Sequence, residues 1–189
     1  MAMAVAALIG VWLLFVSLPR WYESNDQPDA EDRSVDQRTA LETTAVTLFY
    51  VSEDGMQLVG LERKIPHGDT TTEQARYITE AQLTPAPFPL ASPIPDGATL
   101  RAIFVTEQGD AFVDLSTEVR DEHSGGSLEE LFTVYAIVNA LTTNLPTISA
   151  VQILVEGREV DTLAGHVDLR RPLEKNLEWV EQEDSEDAA

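Results

Sequence analysis

Three kinds of side chain in this sequence are able to do chemistry: histidines, a serine at a helix start, and many carboxylates. His67, His123 and His166 sit in loops or beside glycine. None is spaced as H-x-x-x-H or E-x-x-H, the helical arrangements that hold zinc. His166-Val167-Asp168 puts two donors on one side of an extended chain, but no third ligand lies nearby, so solvated loop histidines are the expectation. Ser127 lacks a G-x-S-x-G elbow, and nucleophilic catalysis would also need a base and an orienting carboxylate. With Glu130 three residues on, Ser127 reads instead as the first member of an S-x-x-E capping box. Glu129 and Glu130 complement the dipole of the same helix start. Asp114 ends the apolar run AFVDLS and reads as a turn or cap residue.

Other sites are equally short of parts. A glycosidase needs two opposed carboxylates in an aromatic-lined cleft. Of 3 tryptophans, Trp12 and Trp21 lie in or beside an N-terminal apolar run, so they cannot line one. No phosphate loop and no calcium loop is present; Asp54-Gly55 and Asp96-Gly97 read as turns. The sequence therefore yields no catalytic residue, no metal ligand and no cofactor-binding residue, and it predicts a protein that is not an enzyme.

Patterning supplies the elements that would position such residues. Ala45 to Val51 (AVTLFYV) is rich in β-branched and aromatic residues, stops at Glu53-Asp54-Gly55, and resumes over Met56 to Ile65, which predicts a hairpin. Asp69 or Thr70 caps a helix running to about Leu83, with Glu73 in the capping-box position relative to Thr70 and with Ala75, Ile78 and Ala81 or Gln82 inward. Pro85, Pro87, Pro89, Pro93 and Pro95 forbid regular structure next. Residues 99–106 and 110–115 flank Glu107-Gln108-Gly109 as a second hairpin. From Ser127, the residues Leu128, Leu131, Phe132, Tyr135, Val138 and Leu141 recur at helical spacing as one apolar stripe, ended by Pro146. Asn139 falls among them, either half-exposed or as a buried amide bonded to loop backbone. Ala150 to Val155 reads as a buried strand, Glu156-Gly157 turns it, and Arg158 to Leu163 pairs back. The predicted class is α+β: a small mixed or antiparallel sheet with two helices packed on one face.

The chain ends read differently. Met1 to Leu18 carries no charged side chain, and eighteen helical residues span roughly 27 Å, close to a bilayer's hydrocarbon thickness. Arg20, Trp21 and Tyr22 follow as an interfacial belt. Pro19-Arg20 makes a poor cleavage site, so residues 1–19 are expected to be a transmembrane anchor rather than a signal peptide. Residues 20–44 read as a flexible acidic tether, 45–181 as the folded domain, and 182–189 as a disordered acidic tail. Acids number 33 against 12 basic residues, a formal net charge of -21, which repels nucleic acid and excludes it as a partner. Cysteine is absent, which removes disulfides, thiol catalysis and a lipidated cysteine.

Three segments in order, AVTLFYVSEDG, IPDGATLRAIFVTEQGDAFVDLSTE and GGSLEELFTVYAIVNALTTNLPTISAVQILVEGREVDTLAGHVDLRRPL, resemble the GerMN domain over about residues 46–173. The resemblance implies a ring-building-motif-like fold and an extracytoplasmic location, attached to membrane by a helix or a lipid. It also implies association into membrane-linked assemblies, and brings no catalytic residues. This chain departs from the family in having a single copy, no cysteine and a very acidic composition, so a role in sporulation is not implied.

Together these readings predict a single-pass, extracytoplasmic scaffold or interaction module of the bacterial cell envelope. Its partner would be a protein, or a second copy met through a sheet edge or helix face. The alternative is a domain binding an envelope ligand, peptidoglycan or another cell-wall glycan.

Overall fold

The computed structural model describes residues 42–182. The expected anchor, most of the tether and nearly all of the tail lie outside that range. Among the described residues, no helix is long and apolar enough to cross a membrane. The order of elements is β1 (Thr43–Val51), β2 (Leu58–Pro66), α1 (Thr71–Gln82), β3 (Leu100–Val105), β4 (Asp110–Leu115), one helical turn α2 (Glu118–Asp121), α3 (Ser127–Asn144), β5 (Ala150–Val155), β6 (Arg158–Glu159) and β7 (Leu173–Glu174). The class is α+β, as expected. β1 begins at Thr43, two residues before the expected start of the folded domain at Ala45.

The strands form two sheets, not one. β1 and β2 make an isolated antiparallel hairpin, while β3-β4-β5-β6 form the main sheet with β7 also on β5. The main sheet is mixed: β3 and β4 are antiparallel, β4 and β5 parallel. Parallel neighbours need a crossover connection, and α3 supplies it. Both helices touch the hairpin as well as the main sheet, so they lie between two sheets instead of covering one face.

That position corrects the expected stripe on α3. Leu128, Leu131 and Tyr135 are only partly buried, whereas every residue from Ala136 to Thr142 is buried. A helix that is buried all round must be apolar all round, and the run AIVNAL is nearly so. The start of α3 also differs from the capping box. Gly126, at φ 95°, occupies the N-cap, Ser127 is the first helical residue, and no side chain caps the end. Two successive positive-φ glycines bring the backbone in one residue late, and a side chain at Gly126 would collide with Glu129. α1, by contrast, begins as predicted: the Thr70 hydroxyl accepts the Glu73 amide, and the Glu73 carboxylate accepts that of Asp69. After β5 only Arg158 and Glu159 pair back, and the chain then leaves the sheet.

A two-stranded sheet between helices and solvent leaves backbone groups to satisfy. On the inner edge of β1, Gln82 bonds both the N–H and the C=O of Phe49, at 2.9 and 2.7 Å. Asn144 does the same for Thr47, at 2.8 and 2.7 Å. Val51 completes the edge by exchanging two bonds with Ala91, the one regular pairing in the proline-rich stretch. Two side-chain amides thus stand in for a neighbouring strand and close an edge that would otherwise invite another chain.

Replacing Asn144 with Leu should leave the Thr47 N–H and C=O without partners and cost about 2–4 kcal/mol. Urea unfolding of the full chain should show a lower midpoint at unchanged slope. A loss under about 0.5 kcal/mol would mean that water replaces the amide at no cost.

Candidate functional site

A cleft of about 470 Å³ opens where the proline-rich loop meets the start of α3. Its floor is apolar: Val51, Ile94, Leu128 and Phe132. Its walls carry Asp96, Glu122, His123 and Glu129. Local sequence explains each placement. Asp96 precedes Gly97, which turns at φ 82°. Glu122 and His123 end the single turn α2, and Gly125-Gly126 then swings the chain into α3.

The ring of His123 is fully engaged. Its Nδ1 accepts the Gly125 amide at 3.0 Å, which leaves the proton of the neutral ring on Nε2, 3.2 Å from the Thr133 hydroxyl. Thr133 is itself buried and donates toward the Pro93 and Glu129 carbonyls. Neither ring nitrogen is left over for a bound molecule, so this histidine fixes the loop rather than acting as a base. The cleft offers carboxylate acceptors above an apolar floor, an environment suited to a cationic group on an apolar stem.

Other residues with chemical potential serve the fold. Asp114 does not shape its own turn. It pairs with Arg101 at 2.8 Å and accepts the Gly157 amide at 2.7 Å, bracing the β5–β6 turn. Asp168 is bound by Arg170, not His166, and this pair holds its carboxyl well below the usual carboxylate range. The Asp54 carboxylate accepts from Ser52 and Met56 within its turn, which lowers it too. His67 meets Thr44 at 2.8 Å. Among the described residues, no group of three His, Asp or Glu side chains could hold a metal.

Glu130 is the residue that the sequence misrepresents most. Instead of closing a capping box, it is fully buried. Its two oxygens accept the amides of Leu163 and His166, both at 2.7 Å. Burial pushes its carboxyl up, but hydrogen bonds from the backbone of residues 163–167 outweigh that and leave it below the ordinary 4.5. An unpaired acid three residues into an apolar helix, with no lysine or arginine nearby, was the available signal. Asn139 resolves as the buried amide: it exchanges bonds with Asn176 at 2.7 and 3.0 Å, so the backbone it holds belongs to the C-terminal segment.

The described region is thus a small α+β domain with an acid-lined cleft in which His123 is fully bonded. The family model called Germane, described as sporulation and spore germination, matches residues 47–161, and the chain belongs to this family. Solved structures agree on the fold. The first GerMN domain of the sporulation protein GerM from Bacillus subtilis is 17% identical with a TM-score of 0.55, over 70% of this chain and 98% of that one. The tandem GerMN domains of the same protein give 18% and 0.52, over 72% of this chain and 46% of theirs, so the chain spans less than half of the tandem. A Clostridium perfringens protein described as a lipoprotein gives 21% and 0.50, over 72% of this chain and 90% of that one. The comparison with curated proteins found no match.

Because the Glu130 carboxyl is lowered in the folded chain, its contribution is complete above the ordinary value of 4.5 and is lost as pH falls through the folded value. Glu130→Gln should cost about 2–3 kcal/mol at pH 7, since an amide cannot accept at both positions. In denaturant titrations the gap between wild type and variant should close on acidification below pH 4.5. A gap that is constant with pH would show that the carboxylate charge is not what holds the loop.

Proposed function

We propose that this chain is a non-catalytic, membrane-attached, extracytoplasmic docking module of a bacterial cell-envelope assembly, and that its acid-lined cleft receives a basic segment of a protein partner. The observation that carries this reading is the cleft itself: Asp96, Glu122 and Glu129 surround an apolar floor of Ile94 and Phe132 in a chain of net charge -21. Like charge of that size opposes close packing of two copies and favours a partner of opposite sign. The uncharged run at residues 1–18 supports attachment by a single-pass helix. The likeness in fold to a protein described as a lipoprotein is consistent with life at a membrane surface.

A second surface suits self-association less well. β3 ends the main sheet, with Phe104 61% exposed on it, so its outer edge is free among the described residues. The stretch of α3 from Ala136 to Thr142 is enclosed, which limits that part of the helix as a surface for a second copy.

The test is chemical cross-linking of the full chain in native membranes, comparing wild type with Asp96→Lys/Glu122→Lys. One protein should dominate the wild-type adducts, and the double variant should reduce that adduct about tenfold. Raising salt to about 0.5 M before cross-linking should also weaken it, since exposed charge pairs are screened. Adduct yield insensitive to both charge reversal and salt would remove the cleft from the interface. Retention on purified cell-wall glycan with no protein adduct would replace the docking reading.

A further inference from the structure

Four of the five large apolar side chains that stand exposed among the described residues lie on three segments that meet at one end of the β1–β2 hairpin. Met56, 61% exposed, is in the turn that joins the two strands. Phe88, 97% exposed, shortly precedes Ala91, which pairs with Val51 at the end of β1. Leu177 and Trp179 belong to a turn closed by the Val180 amide on the Leu177 carbonyl, and Val180 pairs with Leu58 at the start of β2. Backbone pairing therefore sets four segments side by side in the order Ala91, Val51, Leu58, Val180. At about 4.8 Å per neighbour they span roughly 15 Å. Single exposed apolar residues are ordinary, but their collection on adjoining segments marks a contact surface.

Charge selects the occupant. Residues 52–57, 86–91 and 177–181 contain four acids, Glu53, Asp54, Glu178 and Glu181, and no lysine or arginine. All four acids are exposed. Such a rim repels an anionic lipid surface. The chain also enters β1 at Thr43, at the other end of a nine-residue strand, so residues 1–41 join the domain away from this end. A second copy would bring the same acids face to face. What fits is a protein face with an apolar hollow and lysine or arginine around it. The hairpin end also continues into the acid-lined cleft, since Val51 and Gly55 line both. We propose that the apolar end of the hairpin seats in an apolar hollow, bordered by basic residues, of the same protein whose basic segment enters the cleft. This inference rests on the docking reading of the cleft. Exposed carboxylates steer association and contribute little affinity, whereas buried aromatic anchors hold a complex together.

The chain has no cysteine, so Phe88→Cys gives a single thiol for a benzophenone maleimide, whose rings keep an apolar group at that position. Photolysis of the labelled full chain in native membranes should yield one protein adduct. Glu107→Cys, beside Thr70 and past the far end of β2, should give about a tenth of that yield. Met56→Ser/Phe88→Ser changes two exposed side chains, and should lower the adduct formed by chemical cross-linking of the unlabelled chain about tenfold while leaving its salt dependence in place. Adding Asp96→Lys/Glu122→Lys to the Phe88→Cys chain should lower the photoadduct about tenfold too. Photoadducts to lipid alone or to a second copy alone, a yield equal to that of Glu107→Cys, or a wild-type chemical adduct from the serine variant would each overturn the assignment of the hairpin end, while a charge-sensitive chemical adduct would still stand for the cleft. A Phe88→Cys photoadduct indifferent to charge reversal and to salt would instead overturn the cleft reading and, with it, the basic partner proposed for the hairpin end.

Discussion

The constraint on which this structure turns is the enclosure of α3. Its stretch from Ala136 to Thr142 is buried on every side, and most buried polar groups of the helix are answered from within the protein, the Thr143 hydroxyl alone having no partner among the described residues. Glu130 is answered by the 163–167 loop, Thr133 by the Pro93 carbonyl, Asn139 by Asn176, and Asn144 by Thr47 of β1. Thr142 turns back to the Val138 carbonyl of its own helix. These bonds fix four separate segments of the chain to one rod: the C-terminal loop, the proline-rich loop, the C-terminal strand region and the hairpin. The acid-lined cleft is a product of the second bond, since Thr133 draws the proline-rich loop and His123 together above α3.

The same logic governs which surfaces are left for partners. The inner edge of β1 is consumed by Gln82, Asn144 and Ala91, and α3 is enclosed from Ala136 to Thr142. What stays open is the outer edge of β3, the acidic cleft and the apolar end of the hairpin. On the hairpin's other edge, Leu58 is paired by Trp179 and Glu181, but nothing pairs Gly60, Glu62 or Lys64 among the described residues. Alternating charge at Glu62 and Lys64 is a common guard against unwanted strand addition.

Much of the fold was legible in the sequence because local signals were strong. Glu53-Asp54-Gly55 and Glu107-Gln108-Gly109 marked two hairpins, and the start of α1 was placed at Asp69 or Thr70, the second of which is the cap. The errors arose where tertiary packing overrides local pattern. S-x-x-E at Ser127 satisfied every local requirement of a capping box, yet Glu130 gains more from the backbone of four loop residues than from one helix-end amide. The apolar stripe of α3 was drawn from spacing, which cannot say that a second sheet covers the other side. The strand expected over 158–163 ended at Glu159 because the loop was claimed by Glu130. As for the sites, Glu122 and Asp96 are ordinary acids in an acidic chain, and only folding makes them neighbours. Gln82 and Asn144 carry no motif, because an amide that pairs with backbone needs no particular spacing.

The bond between Asn144 and Thr47 joins residues 97 apart in sequence. Bonds of such long span form late, after the loop between them has been closed at an entropic cost. During synthesis the hairpin at residues 43–66 is therefore made early but left with an unfinished edge until the end of α3 arrives. Gln82 covers Phe49 sooner, since only 33 residues separate them. Of the three groups that cover the inner edge of β1, the one beside Thr47 therefore depends on the longest stretch of chain, the whole of the sequence from the hairpin to the end of α3.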